Sequence, residues 1–287
     1  MEPKHIEIFK GQRATDYDRF ITELFPSYSL FIQSVPKILK QQLSTVIKPK
    51  ILIAGCGTGN EAQLLAQYNQ HWNIDACDPS EEMLAFAKTK LAPYKKVRLI
   101  KGTVDTLELK ETYDAATLFL VLHFLIDDGA KLALIKDIAQ RLKPGGTLLL
   151  FDISGGEKEL LDTFAIQSAL FPEHWSPKDI AERKIRITTQ LHAISNERCE
   201  ELLKEAGFSD IEINPLGGYH ASLATVIGLW FNRYMPKNIK VNLLKTLIFP
   251  FYNVYPDKIC TPQKHRVKSS FLPPSLQPLC TPRSDLL

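Results

Sequence analysis

Residues Ile51, Leu52, Ile53, Ala54, Gly55, Cys56, Gly57, Thr58, Gly59 and Asn60 constrain the fold more than any other part of the 287-residue chain. A short apolar strand breaks into three glycines two residues apart, and the chain then reads as helix through residues 61–67. Glycines spaced in this way let the turn take φ > 0 and let a bulky ligand lie against bare main chain, which a Cβ would block. Something large and partly polar is therefore expected against residues 55–59.

The strand-then-helix pattern continues. Residues 72–77 read as a second strand ending at Asp78, Pro79 and Ser80, with Ser80 placed to cap a helix whose first turn carries Glu81 and Glu82. Further strands are expected at 97–101, 115–120 and 147–152, with a helix over about 129–142 that stops at Lys143, Pro144, Gly145 and Gly146. Strands alternating with helices at this spacing imply a parallel sheet covered on both faces. Residues 208–214 and 220–227 are separated only by Pro215, Leu216, Gly217 and Gly218, a link short enough to require an antiparallel hairpin. Between these parts, 155–186 reads as an insertion in two helical pieces around Phe171 and Pro172, and 195–206 as a helix capped by Ser195 and ended by Gly207. Residues 13–45 read as two helices, the second apolar at helical spacing through Leu30, Ile32, Val35, Ile38, Leu39 and Leu43.

Composition narrows the class. Apolar residues at 45% and charged residues at 23% match an ordinary soluble globular protein, and no apolar run approaches the length of a membrane span. The first twenty residues are charged throughout, so no secretory signal is expected. The five cysteines are odd in number and scattered without a CxxC pair, which suggests neither a disulfide framework nor a metal site and fits a reducing cytoplasm. Residues 236–287 stand apart, with eight Lys/Arg against two Asp/Glu, eight of the eighteen prolines and no glycine. The chain is expected to be poorly ordered from about residue 258. Such a tail suits contact with nucleic acid or an anionic membrane, or simply a solvated extension. Residues 243–255 are apolar enough to pack on the main domain or on a membrane surface.

Asp78 follows Gly59 by nineteen residues and ends the second strand, where an acid can accept both hydroxyls of a ribose. In an open α/β sheet the ligand lies beyond the carboxyl ends of the strands, so the glycine turn and Asp78 face one crevice. At these residues the chain resembles the class I S-adenosylmethionine-dependent methyltransferases, over roughly residues 12–228. ILIAGCGTGN looks like the first motif of that family, CDPSEEML like the second, LFLVLHFL like the fourth strand with its post-strand segment, RLKPGGTLLLFD like the approach to the fifth strand, and LLKEAGFSDIEI like the approach to the sixth. The resemblance implies a Rossmann-like α/β fold of seven strands ordered 3-2-1-4-5-7-6, the last strand antiparallel, and S-adenosyl-L-methionine as cofactor. It further implies that Gly55, Cys56, Gly57 and Gly59 contact the methionine part, Asp78 the ribose, and Thr103 with Val104 the adenine, with Pro79 also among the cofactor-binding residues. Tyr28 stands where carboxy-S-adenosylmethionine synthase, a relative by overall pattern, has a tyrosine that caps the cofactor; helix packing explains the same residue. The chain departs from the family at two places, since an acid often stands where Ile53 and Thr103 are, and neither is charged here.

Methyl transfer from a sulfonium needs alignment more than a nucleophile or a metal. A base is required only if the acceptor must lose a proton, and His123, just past the fourth strand, is the candidate; it also reads as a residue lining the pocket. Asp152 reads as a helix cap or an acceptor contact, and Tyr17 as a packing aromatic. His174 with Trp175, in the insertion, reads as a surface pair or as a contact to substrate. Arg183 and Lys184 fit a solvated helix face, and also lie near the place of a carboxylate-binding arginine in the synthase. The expected organisation is a helical cover over 1–45, a methyltransferase domain over 46–228 with its insertion at about 155–190, and a basic extension over 229–287. A small acceptor that can be lipophilic is expected, with no DNA partner. Rival readings are a nucleoside-binding protein without turnover and a nicotinamide-dependent oxidoreductase, which would lack the terminal hairpin.

Overall fold

The computed structural model describes residues 8–226, except 25, 111, 170 and 216–218. The basic, proline-rich extension and the apolar stretch 243–255 lie outside the described residues. Seven strands form one sheet: β1 (Lys50–Ala54), β2 (Asn73–Asp78), β3 (Val97–Lys101), β4 (Tyr113–Phe119), β5 (Leu142–Ile153), β6 (Phe208–Pro215) and β7 (Tyr219–Val226). Their order is β3-β2-β1-β4-β5-β7-β6, and β7 runs antiparallel to both of its neighbours. The order and the reversed last strand are those expected from sequence.

Side chains along a strand alternate between faces, and here both faces are apolar. Ile51, Ile53, Ile74, Leu149 and Phe151 belong to one buried cluster, while Leu52, Ala54, Cys77, Leu148 and Leu150 belong to another. Helices α3 (Pro26–Gln42), α4 (Asn60–Tyr68) and α5 (Glu81–Leu91) cover the first face through Val35, Ile38, Leu39, Leu65 and Ala87. Helices α6 (Ala130–Ala139) and α9 (Asn196–Glu205) cover the second through Ile135, Ile138, Leu202 and Leu203. Double burial explains why the central strands are almost continuously apolar.

The caps behave as read: Ser80 Oγ accepts from Met83 N at 3.2 Å, Ser195 Oγ from Arg198 N at 3.2 Å, and Gly207 ends α9 with φ +92°. Two features differ. The N-terminal region holds three helices rather than two, α1 (Gln12–Thr15), α2 (Tyr17–Leu24) and α3, because the first of the two expected helices is interrupted at Asp16, leaving the single turn α1 before α2; Pro26 opens α3. The Lys143 to Gly146 turn is an irregularity within a longer β5, whose pairing to β4 passes from Tyr113 and Leu142 directly to Ala115 and Thr147. The insertion forms α7 (Glu157–Ser168) and α8 (Pro177–Thr189), and the chain returns through Ile194, which bridges to Ser154.

Candidate active site

The glycine turn is stitched to β2. Gly55 N and Cys56 N both donate to Cys77 O at 2.9 Å, and the three glycines take φ of +78°, +51° and +84°. They do different work. A Cβ on Gly55 would collide with the Val121 side chain, and one on Gly59 would come 3.3 Å from Ala87 Cα in α5, so both permit close packing. At Gly57 the nearest atoms would be Met83 Cε at 3.6 Å and Tyr17 Cε1 at 3.8 Å. Gly57 is therefore the most open of the three, and Tyr17 lies against it.

Asp78 is buried and joins the turn to the end of β2: Oδ2 accepts from Gly57 N at 2.9 Å and Oδ1 from Ser80 N at 2.8 Å. Burial raises its pKa, opposed by those two N–H donors. Each oxygen keeps a second acceptor direction for a diol. Gly102 N donates to Asp78 O at 3.0 Å, which brings Thr103 and the buried Val104 to the same crevice. Thr103 caps a 3-10 turn and donates its hydroxyl to Asp105, so an acid stands two residues beyond the uncharged position noted in the sequence. Pro79 is half-buried between Asp78 and Ser80. Tyr28 is buried, and it bounds a cavity of about 20 Å³ together with Gly55, Cys56, Gly57, Glu61 and Phe119. Burial holds the Tyr28 phenol and the Cys56 thiol in their protonated forms, so Cys56 is no nucleophile.

Sequence reasoning did not single out two features here. Glu61, in the first turn of α4, is buried, and burial pushes its pKa up to about 8. Asp18 on α2 accepts from Thr58 Oγ1, from Asn60 Nδ2 at 2.8 Å and from Lys90 Nζ at 2.8 Å, tying the helical cover to the glycine turn. An acid in the first turn of a helix looks like a dipole partner in sequence, and Asp18 looks like any exposed helical acid; only tertiary packing sets them apart.

A larger cavity of about 390 Å³ lies between the N-terminal cover, the turn after β4 and α8, with Phe9, Tyr17, Phe20, His123, Trp175 and Arg183 among its walls. Tyr17 lines both cavities. Trp175 stacks on Phe20 with ring centroids 5.8 Å apart and donates Nε1 to Glu23 Oε2 at 3.0 Å. His174 Nε2 lies 3.8 Å from the same carboxylate oxygen. Both residues thus line the cavity, His174 from an exposed position and Trp175 half-buried against an aromatic partner on α2 that local sequence does not reveal. Arg183 lies with its Cζ 3.5 Å above the Phe20 ring, and its pKa is drawn down to about 10 by desolvation and by Arg186 and Arg13. Lys184 is exposed.

His123 is buried at the cavity wall with Nδ1 2.6 Å from Asp152 Oδ1. Asp152 also accepts from Val121 N, Leu122 N and Ile153 N, so it caps the 3-10 turn Leu122–Phe124 and orients the imidazole at once. An imidazole that donates from Nδ1 to a carboxylate keeps its lone pair on Nε2. Lys131 fixes the same turn from behind, donating Nζ to Leu122 O at 2.7 Å and to His192 O at 2.6 Å.

Residues 52–148 match a family model described as a methyltransferase domain. Over that stretch the chain carries a methyltransferase domain. Over 141 residues it is 33% identical to a malonyl-[acyl-carrier protein] O-methyltransferase of Priestia megaterium, a match covering 46% of this chain and 48% of that protein. It is 26% identical over 220 residues to the carboxy-S-adenosyl-L-methionine synthase of Campylobacter concisus, covering 72% of this chain and 92% of the relative. The fold is similar to that of human N-acetylserotonin methyltransferase solved with SAM, with a TM-score of 0.53 and 21% identity over 75% of this chain and 57% of that one. The chain spans about half the length or less of the relatives that it matches at about one-third identity. Within the methyltransferase domain the family match encloses the glycine turn, Asp78, Thr103 and His123, and it stops before Asp152 and the insertion. Among the described residues no helix is long and apolar enough to cross a membrane, and no group of three or more His, Cys, Asp or Glu is placed to hold a metal.

Proposed function

We propose that the protein transfers a methyl group from S-adenosyl-L-methionine to a small acceptor with an apolar body and an anionic group. The observation that carries this reading is that one side chain, Tyr17, bounds both the cavity under the glycine turn and the 390 Å³ cavity beside it. Donor and acceptor spaces thus meet at a single wall. The residues there suit the cofactor in kind: Gly57 leaves open main chain, the Asp78 carboxylate can accept from a diol, and a small polar recess adjoins the turn. When bound, S-adenosylmethionine supplies a methyl carbon already activated by the sulfonium charge.

The chain's own task is then alignment and charge placement. Phe9, Phe20 and Trp175 hold an apolar body and exclude water, while Arg183 and Arg186 make the α8 side of the cavity favourable for a negative group. Where the accepting atom carries a proton, His123 Nε2 takes it and the Asp152 carboxylate stabilises the resulting imidazolium. Correct positioning is worth an effective molarity of about 10⁵ to 10⁸ M in well-aligned reactions.

Calorimetry with S-adenosylhomocysteine, followed by incubation with methyl-labelled cofactor and a cell extract fractionated by size and charge, tests the proposal. Binding heat and label in small anionic products are expected. Absence of binding removes the cofactor assignment, and label confined to protein or nucleic acid removes the acceptor class. A second reading, that the nucleoside itself carries an extra carboxylate held by Arg183, draws on the placement of Tyr28 and Arg183 at the two cavities. Mass spectrometry of the nucleoside that co-purifies separates the two.

A further inference from the structure

Three buried side-chain polar atoms lack a hydrogen-bond partner among the described residues, and two of them, Glu61 Oε1 and Thr117 Oγ1, belong to neighbouring groups. Buried polar atoms are nearly always satisfied, so an orphaned carboxylate oxygen requires a reason. Glu61 is 6% exposed, and its neighbour Thr117 of β4, paired with Ile53 of β1, brings no charge. Leaving an acid there costs stability, which is why it holds its proton up to about pH 8.

The recess that Glu61 lines offers the reason. Its volume, about 20 Å³, admits one water-sized group. Besides Glu61, the polar side chains lining it are the Tyr28 phenol from α3, Tyr17 from α2, and Cys56, Thr58 and Asn60 from the turn and the start of α4; Thr117 of β4 adjoins Glu61, and Asp18 of α2 adjoins Thr58 and Asn60. Lys90 of α5, the nearby base, is held by Asp18 and Asn60. The recess is therefore acidic, compact and without a cation engaged by Glu61. A primary ammonium matches it in size, in sign and in hydrogen-bond donors.

We propose that Glu61 is the counter-ion for the α-ammonium of the cofactor's methionine part. The assignment rests on the methyl-transfer reading above. Seating the ammonium in the recess gives Glu61 Oε1 its missing partner and expels the Glu61 proton to solvent as the ion pair forms.

The test is calorimetry on the full chain with two probes, S-adenosylhomocysteine and its analogue in which hydrogen replaces the amino group. Glu61→Gln should weaken S-adenosylhomocysteine by about 10- to 100-fold and leave the analogue unchanged. At pH 7 the wild type should release about one proton on binding S-adenosylhomocysteine, read from buffers of different ionisation heat, and Glu61→Gln should release none. Glu61→Asp, which keeps the charge, serves if the glutamine variant does not fold, and should retain preference for the amino form. Equal losses for both probes, unchanged affinity for S-adenosylhomocysteine, or proton release that survives in Glu61→Gln would each overturn the assignment while leaving the cofactor in place. No heat from either probe on the wild type overturns the cofactor reading and this assignment together.

Discussion

Gly59 and Gly207 share a backbone conformation but not an environment, and substituting alanine at each separates two effects that are usually merged. Gly59 precedes α4 at φ +84° and Gly207 follows α9 at φ +92°. Placing an L-residue in this region costs about 1–2 kcal/mol at either site. A Cβ at Gly207 meets nothing within 4 Å, so that cost should be the whole effect. At Gly59 the same atom comes 2.9 Å from Leu91 Cδ1 and 3.3 Å from Ala87 Cα. The leucine tip can swing away, but the alanine main chain moves only with α5, and forced overpacking of this kind adds about 1–3 kcal/mol. Gly59→Ala should therefore lose about 2–5 kcal/mol and Gly207→Ala about 1–2 kcal/mol, measured by urea unfolding with unchanged slope. If Gly59→Ala is no less stable than Gly207→Ala, the third glycine does not serve the approach of α5 to the turn, and the reasoning fails.

Further expectations concern the site and its supports. Asp78→Ala strips an acceptor from both Gly57 N and Ser80 N and should raise the dissociation constant for S-adenosylhomocysteine about tenfold or more; unchanged affinity in calorimetry would contradict the role given to the carboxylate. His123→Gln should lower kcat/KM by about 10²- to 10⁴-fold with cofactor affinity intact, whereas full activity would make His123 a wall residue only. Lys131 is fully buried, and its pKa falls from 10.5 to about 8. Between those values the unfolded chain binds more protons than the folded one, so wild-type stability should rise with pH across this window by at most about 3 kcal/mol. Lys131→Met should abolish that rise, and parallel stability curves for the two proteins between about pH 7 and pH 11 would refute it.

The sheet was largely legible because its signals are local. The glycine turn, the aspartate ending β2, the Ser80 cap and the short link between β6 and β7 each fix a connection within a few residues. The helical cover was less so: nothing in residues 12–24 marks the interruption at Asp16 that separates α1 from α2. The acceptor side was least legible. Trp175 and Glu23 are 152 residues apart in sequence and bonded in the fold, so nothing near Trp175 announces a cavity. Glu61 reads as an ordinary first-turn acid until α3 closes over it, and Asp152 reads as a cap for the helix after it, although its donors come from the turn after β4.

On the methyl-transfer reading proposed above, the shared wall at Tyr17 would make donor and acceptor thermodynamically dependent on each other. A ligand that shifts that ring changes the shape met by the other, and each then alters the other's affinity by the same factor. Inhibition by the spent nucleoside would then vary with the concentration of acceptor.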